Sequence, residues 1–233
     1  ANDSVGYVLT CPDSLREIGK KAFYNADLVK VELNDGLTRI GASAFERTDM
    51  THLTLPDSVE KIEKFAFNGI RGLDRLELPS SMEEITFSSF GLQDPEQGEP
   101  VPHCTEVLLG AKIEKIDNGA FYYLPIDNYT ISKRNHQYSV TDGMLLSADG
   151  TRLLSCPSGR SGSVTVPDGV TELAQSSFFH CDDVTDVYLP DSVININPQA
   201  FKRTISDYGI TLHCKPGSYA REAAERMGID YAD

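Results

Sequence analysis

The chain has no tryptophan and only four methionines. It also lacks any run near the ~18 consecutive apolar residues that a membrane-crossing helix requires, so insertion of this segment into a membrane is not expected. Positive charge is scarce. Against 35 Asp and Glu there are 21 Lys and Arg, for a formal net charge of −14. Such a chain is repelled by phosphate backbones, which excludes nucleic acid as a partner class and disfavours anionic membrane surfaces. The acidic excess serves solubility. Cysteine is sparse and odd in number, five in 233 residues, so at least one thiol is unpaired within the chain. No C-x-x-C, H-E-x-x-H, G-x-S-x-G, P-loop or G-x-G-x-x-G motif occurs, and no cofactor, metal or catalytic activity is expected. No signal peptide is visible at ANDSVGYVLT, which leaves export open.

What is present is repetition. LPDSV stands at 55–59 and again at 189–193, each time followed by Ile (Ile62, Ile196) and then Phe (Phe67, Phe201). Aligned on that Phe, the chain repeats at Phe23, Phe45, Phe67, Phe90, Phe121, Phe178 and Phe201. A small residue precedes each: Ala22, Ala44, Ala66, Ser89, Ala120, Ser177 and Ala200. An aliphatic stands five before it: Ile18, Ile40, Ile62, Ile85, Ile116, Leu173 and Ile196. Upstream lie short alternating stretches closed by Pro, such as Leu53–Pro56, Leu76–Pro79, Val164–Pro167 and Val187–Pro190. Period-two apolar residues predict strands with one buried face, and Pro ends them because it cannot donate to a ladder. Each repeat is then a strand, a turn, a tight apolar segment and a return through Ala-Phe. One such coil cannot bury its own apolar side, but stacked coils cover one another.

The phrase L-x-L-P-D-S-V-x-x-I-x-x-x-A-F resembles the leucine-rich repeat of BspA-like bacterial surface proteins. The likeness extends over nearly the whole chain, through NHQYSVTDGMLLSADGTRLLSCP at 135–157 and the closing GSYAREAAERMGIDY. It implies an α/β-type repeat solenoid, a stack of short parallel strands, mostly strand and loop, ending in a capping helix. It further implies a secreted or cell-surface, adhesin-like protein that binds a host or neighbouring-cell protein or glycan without catalysis. A structural spacer or self-associating stalk with no specific ligand is the alternative.

One solenoid domain is expected over 1–233, interrupted twice. Residues 91–104, rich in Pro and acid, should form a projecting loop. Residues 122–163 should form an elaborated coil with a hairpin turned at Ala148-Asp149-Gly150. The Tyr122, Tyr123, Tyr129 and Tyr138 group inside it suits either an interface or half-buried packing. A helix is predicted over 218–228, capped by Ser218 and ended by Gly228. The N-terminus has no matching cap, so the native chain is expected to extend upstream.

His-Cys occurs at 103–104, 180–181 and 213–214, a pattern that suggests metal ligation. The repeat argues against it. Cys11, Cys156 and Cys214 align with the strand column of Leu55, Leu78 and Leu189, as core residues in coils that are not adjacent, and are expected as free thiols. Parity along the strands places Lys30, Glu32, His52, Thr54, Arg75, Glu77, Glu106, Leu108, Thr165, Asp186, Tyr188, Thr211 and His213 on the exposed face. This strip of mixed charge with Leu108 and Tyr188 is the expected binding surface.

Overall fold

A computed structural model describes residues 6–50, 52–70, 73–92, 104–117, 119–121, 123–202 and 209–233. Most of the expected loop at 91–104, together with His103 and Tyr122, lies outside the described residues. The chain divides into two compact units, residues 1–124 with 132–135, and 125–131 with 136–233. Each unit is a parallel β-solenoid.

In the first unit Tyr7–Thr10 pairs in parallel with Leu28–Glu32, a bridge joins Lys30 to His52, and Arg75–Glu77 pairs with Glu106–Leu109. A second run of two-residue strands lies in register: Glu17–Ile18, Arg39–Ile40 and Lys61–Ile62, then Glu84–Ile85 with Lys115–Ile116. The second unit stacks Gly162–Thr165, Val184–Tyr188, Thr211–His213 and Asp230–Ala232. Its second run is Arg152–Ser155, Glu172–Leu173 and Asn195–Ile196. Alternation sets the faces: Leu76 is fully buried between exposed Arg75 and Glu77, and Val187 is buried beside exposed Tyr188.

The LPDSV corner has two hydrogen-bonding duties. The turn closes on itself, with Val59 N–H donating to Pro56 O at 3.0 Å and Val193 N–H to Pro190 O at 3.1 Å. The serine then ties the coil to the one before. Ser58 Oγ donates to Leu37 O, Ser81 Oγ to Val59 O and Ser192 Oγ to Val170 O, each at 2.7 Å. Asn34 does the same work where Pro is missing, its amide donating to Asp13 O and Leu15 O at 3.1 Å. The recurrence of Ser therefore has a cause beyond turn preference.

The Phe corner depends on backbone geometry that is rare outside glycine. Lys21, Ser43, Phe65, Ser88 and Ser176, each two residues before the Phe, have φ between 50° and 62°. Asn25, Arg47 and His180, two residues after it, have φ between 56° and 61°. Each such residue costs about 1–2 kcal/mol. The alternation turns every second N–H towards the next coil. Lys21, Phe23 and Asn25 donate to Ala42, Ala44 and Glu46 at 2.8–3.0 Å, and Ser43, Phe45 and Arg47 donate to Lys64, Ala66 and Asn68 at 2.8–3.1 Å. A ladder replaces the strain. The coils approach so closely that a Cβ on Gly41 would lie 2.7 Å from Lys20 N and 2.9 Å from Ile18 O.

The rings follow the ladder. Phe23–Phe45, Phe45–Phe67 and Phe67–Phe90 stack at 5.2, 5.3 and 5.6 Å, and Phe178–Phe201 at 4.8 Å. Phe45, Phe67, Phe90, Phe178 and Phe201 are fully buried. Phe23 and Phe121, the end rings of the first unit's stack, are only half-buried.

One sequence expectation is corrected and another is extended. Cys156 does not sit in the strand column: its N–H donates to Ser177 O at 2.6 Å, the bond that the stacking Phe makes in other coils. The Pro after it imitates the Leu-Pro that closes a strand. Cys156 thus occupies the Phe position beside Phe178, whereas Cys11 and Cys214 do lie at the strand ends and are buried. The hairpin is also larger than expected. Tyr138–Thr141, Met144–Ser147 and Arg152–Ser155 form an antiparallel meander, its first turn made by Asp142 (φ 48°) and Gly143 (φ 70°). Arg152–Ser155 then serves as the first rung of the parallel run.

The C-terminal helix, Tyr219–Met227, is capped by Ser218, whose hydroxyl accepts from Arg221 N, and ends at Gly228 with φ 69°. It buries Ala220, Ala223 and Ala224. The strand Asp230–Ala232 beyond it was not anticipated; it pairs with Thr211–His213.

Two stability outcomes follow. Phe67→Ala, inside the ring stack, should cost roughly 3–5 kcal/mol. Ser192→Ala should cost about 1 kcal/mol by leaving one inter-coil bond unmade. Denaturant unfolding of the two variants should rank them in that order.

Candidate functional site

In the first unit the strand face carries its charge in pairs. Lys30 Nζ donates to Glu32 Oε1 at 2.8 Å, and Thr10 Oγ1 donates to Glu32 Oε2 at 3.0 Å. These bonds hold the Glu32 carboxyl below its ordinary range, Lys30 first and Thr10 second. Arg75 Nε reaches Glu106 Oε2 at 2.6 Å across the neighbouring strand. Exposed pairs of this kind add little to stability, because water screens them. Their larger consequence is that a partner must displace them to use those charges. His52, Thr54 and Glu77 are exposed on the same face. Leu108 and Glu106 are half-buried rather than exposed, Glu106 lying under the Arg75 side chain.

In the second unit the face carries a connected cluster. Asp186, Tyr188, Thr211 and His213 come from adjacent parallel strands, with Asp186 opposite Thr211 and Tyr188 opposite His213. His213 Nε2 lies 2.7 Å from Asp186 Oδ1. Thr185 Oγ1 donates to Asp186 Oδ2 at 2.7 Å. The His213 ring stacks on Tyr188 with centroids 4.2 Å apart and 15° between planes. His213 and Asp186 are therefore half-buried because ring and carboxylate cover one another, and Thr211 is half-buried as well, a correction to full exposure for all three. Tyr188 remains 43% exposed and Thr165 is exposed beside it. The His213 bond, then the Thr185 bond, holds the Asp186 carboxyl below its ordinary range against the opposing effect of desolvation.

The His-Cys pairs separate as strand geometry requires. His213 faces Asp186 while Cys214 is buried in the core. His180 lies against Phe179 and 3.5 Å from Asp182, while Cys181 is fully buried. Among the described residues no group of three or more His, Cys, Asp or Glu could hold a metal ion. No helix among them is long and apolar enough to cross a membrane. Of the described tyrosines in the elaborated coil, Tyr129 is buried with its hydroxyl 3.3 Å from Ser155 Oγ, which fits packing.

The comparisons agree with this geometry. The BspA type leucine rich repeat region matches residues 7–94 and 157–216 in six copies, so the chain belongs to that family. The family is generally non-catalytic, and its repeat is that of a binding or structural module. Among solved structures, a leucine-rich repeat protein from Eubacterium ventriosum aligns with a TM-score of 0.68 at 19% identity, over 88% of this chain and 53% of that one. The pneumococcal vaccine antigen PcpA aligns at 0.56 and 21% identity, over 85% of this chain and 48% of that one. A leucine-rich repeat protein from Bacteroides ovatus aligns at 0.50 and 18% identity, over 88% and 62%. The chain thus spans about half the length of the first two. No curated protein sequence matches it.

The cluster has a pH signature. Asp186 has a depressed folded-state pKa, so its contribution to stability is complete above the unfolded value of about 3.9 and is lost as pH falls through the folded value. A carboxyl-carbon NMR titration should place the Asp186 midpoint below that of a free Asp. His213→Ala should move the midpoint upwards.

Proposed function

We propose that this chain is a surface-displayed, non-catalytic binding module that holds an extracellular protein or glycan partner on its exposed strand face. The observation that carries this reading is the Asp186–Tyr188–His213 cluster. It presents a half-exposed aromatic ring, stacked on an imidazole that is itself held by a carboxylate. Tyr supplies large, rigid contact area with a polar tip, and it is among the residues that carry most of the binding energy of interfaces. Ordering the ring in advance lowers the entropy that a partner must remove on binding. Strand faces of solenoids are extended surfaces suited to this use. Display at the cell surface is supported by the family of bacterial surface proteins and by the antigen among its structural neighbours.

A spacer reading is favoured at the first unit's face, where Lys30, Glu32, Arg75 and Glu106 satisfy one another. There the charges serve the stack and are less available to a ligand.

A binding screen of the chain against extracellular-matrix proteins and a glycan array tests both. A saturable hit is expected, weakened at least roughly thirtyfold by Tyr188→Ala, as a hot-spot loss of ~2 kcal/mol implies. The melting temperature of Tyr188→Ala should be nearly unchanged. A hit insensitive to Tyr188→Ala would move the site away from this face, and a blank panel would favour the spacer.

A further inference from the structure

Cys156 and Cys181 are 1% and 0% exposed and are drawn from successive coils of the second unit. Cys181 Sγ lies 3.8 Å from Cys156 O and 3.9 Å from Pro157 O. Cys156 Sγ lies 3.8 Å from the same Pro157 O. Both sulfurs therefore converge on the Pro157 carbonyl, and Cys181 Sγ also reaches the backbone carbonyl of Cys156 itself. The arrangement follows from the substitution of Cys for Phe in the stacking column. A ring at 156 would continue the stack beside Phe178, whereas the small Cys leaves its backbone carbonyl to the thiol of Cys181, three residues beyond that Phe. Ser177, the residue before Phe178, is also fully buried at this point.

We infer that Cys156 and Cys181 are a disulfide site, joined when the chain folds in an oxidising environment and present as a thiol pair when it folds in a reducing one. The bond would close one complete coil into a covalent ring, holding the rung Arg152–Ser155 against the parallel run that follows it. Cys11, Cys104 and Cys214, the remaining thiols, are buried.

The chemistry balances with a small-molecule disulfide as oxidant. One cysteine thiolate attacks the oxidant and expels one thiolate. The second cysteine thiolate then attacks the mixed disulfide and expels the other, leaving S–S in the protein and two reduced thiols that carry the two displaced protons. Closure belongs to folding. In the finished core, hydrogen bonding to Cys156 and burial hold the Cys181 thiol protonated, well above its ordinary range, and keep oxidant and reductant out. For the same reason a bond once formed would resist reduction until the unit opens.

The test refolds the full chain in a glutathione and glutathione-disulfide buffer, alkylates it in denaturant without reductant, and maps the peptides by mass spectrometry. Three alkylated cysteines of the five are expected, with the Cys156 and Cys181 peptides joined. Against chain refolded with excess thiol, the oxidised form should melt roughly 5–10 °C higher, the rise expected from closing a loop of this size. Cys181→Ala should give no internal cross-link. Alkylation of all five cysteines, or a cross-link between any other pair, overturns the assignment.

Discussion

The spacing of a backbone ladder, about 4.8 Å between neighbouring chains, governs everything else in each unit. Coils must repeat at that distance along their whole circumference, including corners where no regular strand forms. The left-handed residues around the Phe answer this constraint. By alternating handedness they aim the N–H groups of residues such as Lys21, Phe23 and Asn25 along the stack, so a corner is bonded as fully as a strand. The same spacing leaves a slot the thickness of an aromatic ring, and the Phe side chains fill it at 4.8–5.6 Å. It also excludes a Cβ at Gly41 and at Gly110, where Pro79 O would be 2.3 Å away.

The same constraint shapes the surface. Side chains at equivalent positions of adjacent coils sit side by side, so they must be complementary or be paired. Arg75 with Glu106 and Arg152 with Glu172 are pairs of that kind, formed across rungs in register. Tyr188 over His213 is the aromatic version, and the Asp186 contact across the same two strands makes it a cluster of three. What distinguishes this place from the rest of the strand face is that satisfying the imidazole leaves the phenol ring still exposed. In the first unit the Lys30–Glu32 and Arg75–Glu106 pairs consume charges a ligand would need.

Much of this was legible in the order of residues. The Phe register, the aliphatic five before it and the Pro that ends each strand all follow from periodicity, because a stacked coil has only one way to bury its apolar side. Exposure along the strand face was legible only by parity. Parity counts the direction of a side chain and not its neighbours, which is why His213, Asp186 and Leu108 proved half-buried. Cys156 was misplaced for a related reason: Cys-Pro looks like the close of a strand, and only the bond to Ser177 O reveals that a meander strand has taken over the rung.

The sequence by itself determined the repeat, its coil length and the composition of the core, since those depend on spacing along the chain. Tertiary structure decided which carbonyl each LPDSV serine reaches, which residues carry positive φ, and which side chains of separate coils meet. Ser192 with Val170, His213 with Asp186 and Cys181 with Cys156 lie more than twenty residues apart. Their contacts arise from the stacking of one coil on the next, and local residue patterns hold no record of the register in which coils stack.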